Sequence, residues 1–149
     1  MTALNSKLCP LDIFTPRTAD THLTTHVKLQ EALNHTTMDT DGFPTFRVMK
    51  YGRTTHWTAG VSNELWSDCQ REPGRITTEW CILDLPSYGR FSEGGDSGSI
   101  VFDYKGRIVG VLHGGGAPKF VGMDMTYITP IEWLFENIEK TLGATIDLD

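Results

Sequence analysis

From Phe43 onward, apolar and polar residues alternate in short stretches, and that period of two predicts six strands. Phe46-Arg-Val-Met-Lys-Tyr51 alternates and stops at Gly52. Thr54 to Val61 is rich in β-branched and aromatic residues, and Ile76 to Leu83 follows a Pro73-Gly74 turn. Gly98 to Phe102 and Arg107 to His113 flank Asp103-Tyr-Lys-Gly106, a hairpin signal. Phe120 to Thr129 supplies the sixth strand after the Gly114-Gly-Gly116 run. The period then changes: Ile131, Leu134, Phe135 and Ile138 recur at helical spacing behind Pro130, with Gly143 as the cap. The expectation is an all-β chain: six short strands over 43–149 in a small antiparallel barrel or sandwich, ending in a C-terminal α-helix.

Residues 1–42 read differently. They are rich in Thr, Asp and Asn, and Pro10 and Pro16 interrupt any long element. The segment is expected to be an irregular lead-in with one short helix, over Val27 to Asn34, where Leu29, Ala32 and Leu33 share a side.

A chain of 149 residues is one domain by length and can bury a real core. Its net charge of −6 argues against nucleic acid, since phosphate binding needs a basic surface. No apolar run reaches the length of a membrane span, and the first residues lack the apolar core of a signal peptide. A cytoplasmic location is therefore expected, and the formal sequon Asn34-His35-Thr36 carries no meaning there. Cys9, Cys69 and Cys81 are too few and too scattered for a disulfide framework. Cys69 and Cys81 flank one predicted hairpin and could pair if oxidised, but reduced thiols are expected in a cytosol. No Cys/His spacing suits zinc, so neither metal nor cofactor is expected. Trp57, Trp66, Trp80 and Trp133 are expected in the core, and Glu132, Glu136, Glu139 and Lys140 on the solvated side of the helix.

The chemistry concentrates in Phe91-Ser-Glu-Gly-Gly-Asp-Ser-Gly-Ser99. Glycines let backbone N–H groups approach a ligand closely, and a serine hydroxyl on such a turn suits attack on a carbonyl. N–H groups from Gly95 and Ser97 would then stabilise the developing oxyanion. An α/β-hydrolase elbow is excluded: Gly95 stands two before Ser97, but Ser99 stands where a second glycine is required, and strands do not alternate with helices. A Gly-Asp-Ser-Gly tetrapeptide by itself is also a common turn, with Asp and Ser bonding nearby backbone.

Gly94-Gly-Asp-Ser-Gly98, the strand ending Val109-Gly-Val-Leu-His113-Gly-Gly, and Tyr127-Ile-Thr-Pro-Ile-Glu-Trp-Leu134 together resemble the chymotrypsin/trypsin-like serine proteases. Lys50-Tyr-Gly-Arg-Thr-Thr55 and Thr58-Ala-Gly-Val61 look most like trypsin-like domains of fungal proteins. The likeness spans roughly residues 43–142. It implies a serine endopeptidase-like domain that hydrolyses peptide bonds, with Ser97 as nucleophile, Gly95 and Ser97 as oxyanion-hole donors, and Asp96 supporting the turn. It also implies that His113, Gly114 and Gly115 line the cleft and pair with an extended peptide or protein substrate. The family's specificity position, about six residues before the serine, falls on Phe91. No acid stands there, so a preference for Lys or Arg is not implied.

That family carries two six-strand barrels, with histidine and aspartate on the first and serine on the second. The six predicted strands correspond to the second barrel alone, so the resemblance implies a six-stranded antiparallel barrel over 43–149 with a C-terminal α-helix. The base must then come from a missing N-terminal barrel, from a partner chain, or from His26 oriented by Asp39 or Asp41, where Leu23-Thr-Thr-His26-Val27 echoes the family's histidine context. Lacking the base, the chain is expected to be inactive or nearly so. The rival expectation is a non-catalytic pseudoprotease module that binds extended peptides. Either way a single barrel leaves apolar surface to be covered by residues 1–42, by a second copy or by a partner.

Overall fold

A computed structural model describes residues 37–38, 44–115 and 124–147. The chain forms a closed six-stranded antiparallel β-barrel followed by one helix. Seven strands are described: β1 (Thr37–Met38), β2 (Pro44–Gly52), β3 (His56–Glu72), β4 (Arg75–Asp84), β5 (Ile100–Asp103), β6 (Ile108–Gly115) and β7 (Met125–Pro130). A 3-10 turn covers Pro86–Tyr88, and α1 covers Ile131–Leu142. The sheet runs β1-β2-β3-β4-β7-β6-β5, and β5 returns to pair with β2 through Lys50↔Val101 and Val48↔Asp103. All pairings are antiparallel.

Each of the six predicted strands has a counterpart in β2–β7, with ends shifted in places; residues 120–123 of the sixth lie outside the described residues. β3 runs for 17 residues, well past Val61. Beyond Trp66 the β3–β4 pair leaves the barrel as a two-stranded ribbon closed by Pro73-Gly74, where Gly74 has φ +84°. Its residues are mostly exposed, so no apolar alternation marked it in the sequence. The predicted lead-in contributes β1, which pairs with the start of β2 through Thr37↔Thr45. The helix predicted over 27–34, His22, His26, His35, Asp39, Asp41 and Cys9 lie outside the described residues.

The barrel interior follows the pleat. On β2, alternate residues Phe46, Val48 and Lys50 turn inward, the first two among Trp80, Ile82, Val101, Val109, Leu112 and Ile128. Phe91, from the segment before Ser97, completes this cluster with no exposed surface. On the opposite face of the wall, Met49, Ala59 and Phe102 pack under Leu85, Tyr88 and Ile100.

Of the four tryptophans, Trp80 is buried and Trp66 packs half-buried against the core. Trp57 and Trp133 correct the expectation, at 44% and 53% exposed. Trp57 lies outside the barrel wall between Tyr51 and Phe102, with edge contacts of 5.3 and 5.8 Å between ring centroids. Gly143 ends α1 as expected: its φ is +66° and its N–H bonds Glu139 O at 2.8 Å. Cys69 and Cys81 are both free thiols. Among the described residues no helix is long and apolar enough to cross a membrane.

Candidate functional site around Ser97

The sequence from Glu93 to Ser99 folds into two successive tight turns because glycine stands wherever φ is positive. Gly95 has φ +103° and Gly98 has φ +88°. Asp96 N bonds Glu93 O at 3.1 Å, and Ser99 N bonds Asp96 O at 3.0 Å. The second turn is then stitched to β6: Gly98 N donates to Leu112 O at 2.8 Å, and Leu112 N to Ser99 O at 2.9 Å. Between these fixed points Ser97 stands exposed. Among the described residues, the N–H groups of Gly95 and Ser97 donate to nothing, and the Ser97 hydroxyl has no partner.

Asp96 points the other way, into the barrel end, and is fully buried. Its carboxylate accepts four hydrogen bonds: Thr54 N at 2.7 Å, Thr55 N at 3.3 Å, Thr55 Oγ1 at 2.7 Å and Glu93 N at 3.1 Å. Lys50 Nζ stands 3.2 Å from Oδ2, itself with no exposed side chain. Burial opposes the charge on Asp96, but the Thr55 hydroxyl and the three N–H donors outweigh it and hold the carboxyl well below its usual range. Burial also lowers the Lys50 pKa, an effect that Asp96 counters. The Lys50 ammonium lies 5.6 Å from the centre of the Phe91 ring.

These contacts bind the serine turn to the β2–β3 turn at residues 52–55. Gly52 is required for the fit, because a Cβ there would collide with Asp96 Oδ1. A Cβ on Gly95 would meet Thr54 Oγ1 at 2.6 Å, while that hydroxyl donates to Gly94 O at 2.9 Å. Sequence reasoning gave Asp96 its supporting role but missed Lys50, Thr54 and Thr55. The signal was a lysine on the inward-facing row of a strand whose other inward residues are apolar.

Upstream, Phe91 is held by Thr58 Oγ1 donating to Phe91 O at 2.7 Å and by Phe91 N donating to Asp84 Oδ1 at 2.7 Å. Its ring is core and presents no surface to a ligand. The neighbouring Ser92 hydroxyl is buried against the Thr126 hydroxyl at 2.6 Å.

β5 starts at Ile100, which pairs with Val111, while β6 continues to Gly115. Gly114 and Gly115 therefore have β7 on one edge, through Gly114↔Tyr127 and Gly115↔Thr126, and no described strand on the other. His113 occupies the irregularity between Leu112 and Gly114, half-buried, and lines a cavity of about 230 Å³ with Cys69, Glu72, Arg75 and Thr77. No described hydrogen bond joins it to Ser97. His56 sits exposed at the β2–β3 turn with φ +54°, its Nδ1 3.3 Å from the Tyr51 hydroxyl. No group of three or more His, Cys, Asp or Glu side chains among the described residues could hold a metal ion.

No protein-family model matches this chain, and no curated protein matches it either.

Proposed function

We propose that this domain is a serine hydrolase module of the trypsin-like type, built to take an extended peptide beside Ser97. One observation carries the reading. An exposed serine sits on a turn whose own N–H and that of Gly95 are uncommitted among the described residues, next to the edge of β6 at Gly114 and Gly115 where no described strand pairs. A peptide laid along that edge would bring its carbonyl to Ser97. Ser97 Oγ would attack the carbonyl carbon while its proton passes to a base. The two N–H groups would receive the oxyanion, the amine would leave with a proton, and water would release the acyl group.

The base belongs to a segment or partner chain outside the described residues, where His26 with Asp39 or Asp41 also falls. Without it, turnover is slight, since the oxyanion hole and binding supply only the residual part of triad catalysis. A cytoplasmic setting is part of this proposal.

A fluorophosphonate probe tests it. Labelling of the intact protein that vanishes in Ser97→Ala supports the nucleophile. A second reading, a peptide-binding module without turnover, is favoured because no histidine among the described residues hydrogen-bonds Ser97. It predicts no labelling, together with saturable binding of extended peptides that Gly115→Pro weakens. Neither labelling nor peptide binding would defeat both.

A further inference from the structure

A cavity of about 460 Å³ opens between the β3–β4 ribbon, β7 and the start of α1. Ser97 does not line it. We propose that this cavity binds an organic cation, a guanidinium or alkylammonium group on a short apolar stem.

Two tryptophans wall it, and the charged groups among its described lining residues are acidic. Trp66 is fixed by stacking on Trp80, with centroids 6.2 Å apart and planes 25° from parallel, so it supplies a rigid face. Trp133 stands on α1 with 53% of its surface exposed, an unusual place for the largest apolar side chain. Indole faces attract cations through their quadrupole. Ile76, 63% exposed, and Pro130 provide apolar contact for a stem.

Glu79 makes the assignment to a cation. It lines the cavity yet is only 3% exposed. One carboxylate oxygen accepts the Thr129 hydroxyl at 2.9 Å; the other accepts no hydrogen bond, and no Lys or Arg pairs with it among the described residues. A buried carboxylate with half its acceptor capacity unused gains most from a charged donor. Glu136 adds a second acidic group to the lining, and no basic side chain among the described residues lines the cavity. These groups oppose an anion, and a neutral ligand would bring no charge to the unused oxygen of Glu79. Among the described residues no cluster of three or more acidic, His or Cys side chains stands ready for an inorganic ion. A guanidinium or ammonium with a stem uses all three features.

The test follows tryptophan indole N–H signals of the full chain by NMR during titration with N-butylguanidinium chloride. N-butylurea serves as the neutral control of similar shape. Saturable shifts of two indole signals are expected with the cation and not with the urea. Glu79→Gln, which keeps an acceptor for Thr129, is expected to weaken binding by about tenfold, the loss typical of one charge-assisted hydrogen bond. Trp133→Ala, at an exposed position, should weaken it without changing the far-ultraviolet circular dichroism. The pentapeptide Gly-Gly-Arg-Gly-Gly identifies the source: tighter binding than N-butylguanidinium assigns the site to a protein-borne side chain, weaker binding to a free small cation. Equal response to the urea, unsaturable shifts, or unchanged affinity in both variants would overturn the proposal.

Discussion

Lys50 Nζ and Asp96 Oδ2 lie 3.2 Å apart, with no exposed surface on either side chain. The first belongs to the barrel wall and the second to the serine turn, so the pair makes the position of Ser97 a property of the barrel. A buried pair adds little over an apolar replacement of both partners, but removing one partner strands the other charge.

Lys50→Met is accordingly expected to cost about 3–5 kcal/mol in urea unfolding, because it leaves the Asp96 carboxylate without its cation. Lys50→Met combined with Asp96→Asn should cost clearly less than the two single losses added together. Additive losses would show that the two groups act separately.

Acid should expose Asp96. Its folded pKa lies below the ordinary 3.8, so the unfolded chain binds the proton first. The stability it contributes is complete above 3.8 and drains away as pH falls below that toward the folded value. Asp84 has the opposite sign: burial, opposed by the Phe91 N–H bond, raises its folded pKa, so its contribution weakens as pH rises through that value. Asp96→Asn should flatten the acid limb of a stability–pH curve. Asp84→Asn should raise the neutral plateau by up to about 1 kcal/mol. An acid limb unaltered in Asp96→Asn would contradict the first assignment.

Gly95 and Gly98 separate strain from collision. Both hold positive φ, but a Cβ on Gly98 meets nothing within 4 Å, whereas one on Gly95 strikes Thr54 Oγ1 at 2.6 Å. Gly98→Ala is expected to cost about 1–2 kcal/mol of backbone strain. Gly95→Ala should cost a further 1–3 kcal/mol, roughly, from overpacking. The excess should shrink in Gly95→Ala with Thr54→Gly, compared with Thr54→Gly alone, and thermal melts of the four proteins decide it.

The thiols should differ in reactivity. Cys81 is buried and desolvation raises its pKa, while Cys69 is half-buried on the ribbon. Iodoacetamide followed by mass spectrometry should find Cys69 alkylated first and Cys81 only when the chain unfolds. Faster labelling at Cys81 would refute its burial.

The barrel was legible because its interior obeys a period of two: Val48, Ile82, Val101 and Ile128 all sit where alternation put them. The outer half of β3 was not, since a solvated ribbon has no apolar face to write into the sequence. Gly95, Asp96 and Ser97 were legible as turn chemistry, and the helix and its Gly143 cap as a change of period. Trp57 and Trp133 misled because burial statistics for tryptophan say nothing of which face an indole takes. Lys50, Thr54 and Thr55 are about forty residues from Asp96 in the chain. Only barrel closure brings them together, and no local pattern encodes that.

Closure also orders events in time. The β2–β5 pairing joins residues 48–50 to 101–103, so it is won late, after the entropy of a long loop has been overcome. Lys50 sits in that pairing, opposite Val101. The serine turn therefore has only its β6 stitch until the last seam of the cylinder is sewn, and a nascent or half-folded chain carries Ser97 without the anchor that Asp96 makes to the wall. Pulsed hydrogen exchange during refolding should find the amides of Thr54 and Glu93, which bond Asp96, protected no earlier than those of the β2–β5 seam.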